Sequence, residues 1–387
     1  MSTQARGIEA VFPRDEFERR QRAAKAELAR RKLDAAILTG PENIFYLTGQ
    51  QTPGYYTFQC LVLPVEGEPK FLLRQLELTN FLRNTFIADH EVYQDNAQPA
   101  DTVIDALGRM KLQGKRIAIE KRGWFLPIAF YEQLVEKMGK VEDASGVVEA
   151  MRRVKSPLEI KALEASARQA EAGIRAGMAA IKPGRTENDL VAAMMQAAIA
   201  GGAEYMGMEP LVSSGPRSGV PHATWRRRKL EHGDPIFLEM SGCQDRYHSG
   251  LMRTAWIGKP PALARELEKV VLEGLQAAID AARPGVACEE VHMACQRVID
   301  RAGMTDRYKK RTGYSLGVSF APDWGEWQVL SLFTGIKEPL QPGMCFHVPT
   351  ALREYGVFTV GISESILITE KGARQLGTLA RPIHVIE

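Results

Sequence analysis

The sequence predicts two domains, an α/β unit followed by an α+β unit, and three observations carry that expectation. Short apolar runs alternate with helical segments up to about residue 145. Helix-start signals then recur at Ser156 and Thr186. Beyond them, paired helical segments interleave with apolar strands. A chain of 387 residues suits two domains of ordinary size, here 1–150 and 151–387.

Taken in order, Asp15 to Lys32 shows apolar and alanine positions at helical spacing among charges, and DAAILTG then reads as a short buried strand. FQCLVLPV, PKFLL and RIAIE read as further strands, separated by helical stretches around LELTNFLRN and ADTVIDALGRMKL. Ser156 with Pro157 and Glu159 forms a capping box that launches a helix to about Ala180, where Lys182-Pro183-Gly184 stops it. Thr186 and Asp189 launch a second helix that ends at Gly201-Gly202. A further helical pair fills 263–303, and strands are expected at 235–240, 247–257, 344–349 and 363–369.

The 50 basic and 47 acidic side chains nearly cancel, so no general field favours nucleic acid or an anionic membrane. The run Arg226-Arg227-Arg228-Lys229 reads as a solvated loop or helix face. Cysteines at 60, 243, 288, 295 and 345 form no CxxC pair or disulfide spacing, which fits a reducing compartment. No stretch has signal-peptide character or about 18 consecutive apolar residues, so the expectation is a cytoplasmic protein with neither nucleic-acid nor membrane partners.

Polar residues inside apolar strands are the informative ones, because an unpaired buried carboxylate is costly. Glu239 lies in PIFLEM, His347 in MCFHVP, and Glu364 in GISESILIT on the same side as Ile366 and Ile368. His222 lies in the small-residue loop SSGPRSGVPHATW. Each has an ordinary reading: a strand glutamate can be an edge residue, and His347 a satisfied core histidine. Together they point to a site. They lack the paired carboxylates that bridge two metals, so no metal is expected. Walker and GxGxxG patterns are absent, and no cofactor is expected either.

With those segments in hand, the chain resembles the creatinase/prolidase family, whose catalytic domain has the pita-bread fold. ENIFYLTG resembles that family's N-terminal strand end, RRVKSPLEIKALEASARQAE its linker helix, and HGDPIFLEMSG, LMRTAWIG, LQPGMCFHVP and GISESILITEKGARQL its catalytic strands. The resemblance implies a creatinase-like N-terminal domain and a pita-bread C-terminal domain. The family's five metal ligands fall at Glu239, Gly250, Tyr314, Pro349 and Glu364, so a two-metal peptidase centre cannot be rebuilt. A metal-free branch with a catalytic histidine, here matched by His222, is the better match. YHSGLMRT, the segment from Gly313 to Glu326 containing PDWGE, and Phe346-His347 resemble ectoine hydrolases within it.

That resemblance implies metal-independent hydrolysis of a carbon–nitrogen bond other than a peptide bond, in a small zwitterionic or cationic metabolite such as ectoine or hydroxyectoine. His222, Glu239 and Glu364 would be catalytic: Glu239 attacks an amidine carbon, His222 shuttles the proton and Glu364 pairs with the cation. Tyr56, Phe58, Trp225, Arg253, Tyr314, Asp323, Trp324 and His347 would bind substrate. Tryptophans 225 and 324 and the aromatics at 55, 56 and 58 could form a cation–π wall or simply pack. A substrate carboxylate would seek an arginine, with Arg253, Arg311 and Arg353 all open as candidates. By resemblance to creatinase, the GYYTFQ loop would close the neighbouring subunit's pocket in a homodimer. Alternatives are a divergent Xaa-Pro dipeptidase, an osmolyte lyase, or a non-catalytic binding protein on the same fold.

Overall fold

Alternation along the strand Ala35–Leu38 builds the N-terminal unit. Ala36 and Leu38 pack with the helix Arg14–Arg30 on one face of a sheet, and Ala35 and Ile37 pack with the helices Pro99–Arg109 and Ile128–Met138 on the other. The computed structural model describes residues 8–387 and divides into two units, one ending at Arg152 and the other beginning at Arg153. The N-terminal sheet has six strands of mixed direction, with Ala35–Leu38 antiparallel to Cys60–Pro64 and parallel to Ile117–Ile119.

ENIFYLTG, expected as a strand end, belongs to the helix Pro41–Thr48. Pro41 presets the first turn, and Gly49 ends the helix in the left-handed region at φ 79°. Almost every residue of that helix is buried, so its apolar run lacks the one-sided pattern that separates helix from buried strand.

The C-terminal unit holds two sheets. One has four strands in the order His384–Ile386, Gly250–Ile257, Pro235–Ser241, Leu211–Ser214. The other has five antiparallel strands: Ser331–Leu332, Gly313–Ser315, Cys345–Glu354, Phe358–Thr369 and Gly372–Gln375. Both predicted capping boxes form, and the helices they launch, Pro157–Ala180 and Glu187–Ala200, back the four-stranded sheet. The helices Ala262–Ala281 and Cys288–Arg301 back the five-stranded one.

Every central strand therefore has a helix-backed face and an inner face. In Pro235–Ser241, Ile236, Leu238 and Met240 join the helix core, leaving Phe237 and Glu239 on the inner face. In the long hairpin, Phe346, Val348, Ile362, Ile366 and Ile368 face the helices. This leaves His347, Pro349, Arg353, Thr359 and Ser363 facing inward. The hairpin strands run well past the expected 344–349 and 363–369, because the polar inward residues and Pro349 interrupt the apolar pattern without interrupting the ladder.

Candidate active site

Between the inner faces lies a cavity of about 300 Å³ whose lining includes Glu239, His222, Lys310, Arg311, Tyr314 and Arg353. Glu239 is buried, opposite Leu211 and Met252 in the ladder. Among the described residues its carboxylate has no hydrogen-bond or ion-pair partner. Burial raises its pKa to about 7, Lys310 and Arg353 pull it down, and Asp323 pushes it up. An acid in that state titrates near neutrality and has a free oxygen to offer a ligand.

His222 stands at the cavity mouth with its ring partly open to solvent. Its backbone is left-handed, at φ 55°, an uncommon conformation for a side-chain-bearing residue and one that concentrates at functional sites. One buried carboxylate pins both ends of its loop. Glu187 accepts from Ser214 N at 2.8 Å, from Arg217 Nη1 at 2.7 Å and from Arg226 N at 2.6 Å. The basic run that follows is thereby part of the loop's anchorage, with Arg228 donating to Asp234 and to Ser214 Oγ. Partial burial, then Arg353 and Lys310, lower the pKa of His222, which favours the neutral base.

Lys310 is a cavity-lining residue that sequence reasoning passed over, because Lys309-Lys310-Arg311 looks like an ordinary solvated run. Its ammonium donates to the Pro349 carbonyl, and burial, then Arg353, depress its pKa while Glu239 supports it. Of the three arginine candidates, Arg311 and Arg353 line the cavity and Arg253 does not. The Arg353 guanidinium lines the cavity and, among the described residues, its Nε lacks a partner, as does the hydroxyl of Thr359 directly across the ladder. Arg311 also lines the cavity, near the rings of Tyr314 and Trp327.

Arg253 cannot bind substrate as expected, since all of its donor nitrogens are consumed. Nε donates to Ala380 O, Nη1 to Met252 O and Ser363 O, and Nη2 to Leu379 O and Glu364. Glu364 likewise sits off the cavity, buried in ion pairs with Arg253 at 2.9 Å and Arg381 at 3.1 Å. Its alternation with Ile366 and Ile368 puts it on the helix-backed side, so the structure separates it from Glu239 and His222.

The remaining expected residues divide by location. Trp225 packs against the helix core, and Trp324 is fully buried with its indole N–H on Tyr314 Oη at 3.0 Å, so neither forms a wall of the cavity. Asp323 holds Gly325 N at 3.0 Å and acts on Glu239 and His222 through its charge. His347 lies behind Tyr314, bonded to its hydroxyl at 2.8 Å and to Ser363 Oγ at 2.7 Å. Tyr56 and Phe58 belong to the N-terminal unit, where Tyr56 is exposed and Phe58 lies 4.0 Å from the Phe130 ring centroid.

These residues do not fit a two-metal centre. A Cβ at Gly250 would come within 3.0 Å of the His347 ring, leaving no room for an aspartate, and Tyr314 and Pro349 offer no ligand pair. Among the described residues no group of three or more His, Cys, Asp or Glu is placed to hold a metal ion.

Comparison with known proteins places this geometry. Residues 161–370 match the model of metallopeptidase family M24, and residues 19–154 match the creatinase/prolidase N-terminal domain. An ectoine hydrolase of Halomonas elongata is 30% identical over 98% of this chain and 99% of its own length. An uncharacterized hydrolase/peptidase of Sinorhizobium fredii is 31% identical over 97% and 98%. Among solved structures, dipeptidase PepE from Mycobacterium ulcerans superposes with TM-score 0.84 at 26% identity, covering 97% of this chain and 99% of that one. The prolidase from Pyrococcus horikoshii OT3 gives 0.83 at 22%, covering 94% and 99%. No helix among the described residues is long and apolar enough to cross a membrane. The chain belongs to metallopeptidase family M24, with a creatinase/prolidase N-terminal domain and a pita-bread catalytic domain, and is a hydrolase of that family.

Proposed function

We propose that this hydrolase opens a carbon–nitrogen bond of a small cyclic amidine bearing a carboxylate, with ectoine or hydroxyectoine the first candidates, and that it does so without metal. The carrying observation is Glu239: a buried carboxylate without a partner among the described residues, facing a cavity whose other charged lining residues are basic. A zwitterion suits both features, its amidinium against Glu239 and its carboxylate against Arg353, Thr359 and Lys310. The volume admits a metabolite of that size. The ectoine hydrolase relationship supports the same substrate class.

In the chemical step a Glu239 oxygen bonds to the amidine carbon, and the C=N π pair moves onto nitrogen. His222 takes up a proton from solvent at the open cavity mouth and hands it to one ring nitrogen, whose C–N bond breaks with the electron pair on nitrogen. Water then adds to the carbon and gives a proton back to His222. Departure of the Glu239 carboxylate and loss of the second water proton to the freed amine leave an amide and an ammonium. The exposed Tyr56, Trp124 and Ile128 of the N-terminal unit support a homodimer in which that unit serves a neighbouring site.

The test is turnover of ectoine by purified protein before and after exhaustive chelation. The expected outcome is undiminished activity after chelation, its loss in His222→Ala, and a 10- to 100-fold higher KM in Arg353→Met, roughly 1.4 to 2.8 kcal/mol of binding. Cleavage of Xaa-Pro dipeptides that disappears with a stoichiometric metal would favour the dipeptidase reading instead.

A further inference from the structure

The groups behind Tyr314 restrict which hydrogen each can donate. Trp324 Nε1 is a donor only and gives its hydrogen to Tyr314 Oη at 3.0 Å. At the other end, Met252 N is also a donor only and gives its hydrogen to Ser363 Oγ at 2.7 Å. Between these fixed donors lies His347, with Nδ1 2.8 Å from Tyr314 Oη and Nε2 2.7 Å from Ser363 Oγ. Burial and the neighbouring cations hold the ring neutral, so it has one N–H and one acceptor nitrogen.

Two arrangements are possible, and they differ in what Tyr314 presents to the cavity. If the hydrogen is on Nε2, Ser363 Oγ accepts twice and its own buried hydrogen has no acceptor among the described residues. Tyr314 then spends its hydrogen on Nδ1. If the hydrogen is on Nδ1, Ser363 donates to Nε2, and Tyr314 Oη accepts from both Trp324 and His347. Its own hydrogen is then left for the cavity it lines, where a ligand can accept. Only this second arrangement leaves no hydrogen enclosed without an acceptor, because the one still unassigned, on Tyr314, faces the cavity.

We infer that Tyr314 is a further catalytic residue, an obligate hydrogen-bond donor to the electron-rich atom that develops at the attacked carbon, and that the His347 tautomer set by Ser363 enforces this polarity. The PDWGE segment serves this role, since Trp324 fills one tyrosine lone pair and a Cβ at Gly325 would lie 2.4 Å from the Tyr314 ring. The identity of the acceptor rests on the proposed carbon–nitrogen hydrolysis; the hydrogen-bond polarity does not.

The decisive measurement needs no substrate. Ring-¹⁵N NMR of the full chain, with His347 assigned by its loss in His347→Gln, is expected to show the Nδ1–H tautomer; the Nε2–H form would overturn the inference. With ectoine, Tyr314→Phe is expected to lower kcat about 100-fold while KM moves less than about threefold. Ser363→Ala, which does not line the cavity, removes the donor that holds Nε2 as an acceptor and is expected to let the Nε2–H tautomer appear and to lower kcat with KM held. An Nε2–H population with unchanged kcat, or an unchanged kcat in Tyr314→Phe, would remove the catalytic role. Should the wild type not turn over ectoine, the tautomer result still decides the polarity, and the substrate reading is what fails.

Discussion

Two buried strand glutamates, Glu239 and Glu364, sit in the same domain under opposite regimes. Glu364 lies on the helix-backed side of its sheet, held by Arg253 and Arg381, and Arg253 is in turn bound to four backbone carbonyls. Glu239 lies on the inner face with no partner among the described residues, and burial raises its pKa to about 7. The pair at Glu364 is architecture: it closes the contact between two sheets and the C-terminal segment. The solitary acid is an unstable arrangement that packing could easily have avoided, which is why it marks chemistry.

The largest effect should come from Glu239→Gln, with kcat on ectoine falling by about 10⁴-fold, more than 5 kcal/mol in barrier, and urea-melt stability unchanged or higher. A Gln variant that kept wild-type turnover would erase the distinction between the two glutamates. Next is Arg253→Met, which leaves Glu364 buried beside Arg381 alone; an equilibrium melt is expected to show a loss of about 3 to 5 kcal/mol. A loss below about 1 kcal/mol would mean that the pair is not structural.

The smallest effect is in pH dependence. Because the folded pKa of Glu239, about 7, lies above its unfolded value of 4.5, the folded state binds more protons between them. Wild-type stability should therefore fall relative to Glu239→Gln as pH rises from about 5 to 7, by on the order of 1 to 2 kcal/mol, and level off above. Parallel curves for the two proteins would show that Glu239 is solvated or paired after all.

Much of the site was legible. The placement of Glu239 between Leu238 and Met240 already set it on the face opposite a continuous apolar set. The same logic was available for Glu364: alternation grouped it with Ile366 and Ile368, and residues that share a side with core isoleucines share their destination. Lys310 and Arg353 were harder to find, because a basic run and a strand-end arginine carry no local sign of being turned inward. Their value comes from meeting Glu239 across strands distant in sequence.

The sequence by itself determined the capped helices, the strand periodicity and the family, since these depend on spacing within a few residues and on order along the chain. Only the tertiary structure decided which arginine is free, which glutamate is paired and which way Tyr314 faces. Those outcomes depend on hydrogen-bond donors and acceptors contributed by different strands, and no local pattern records how such groups are shared.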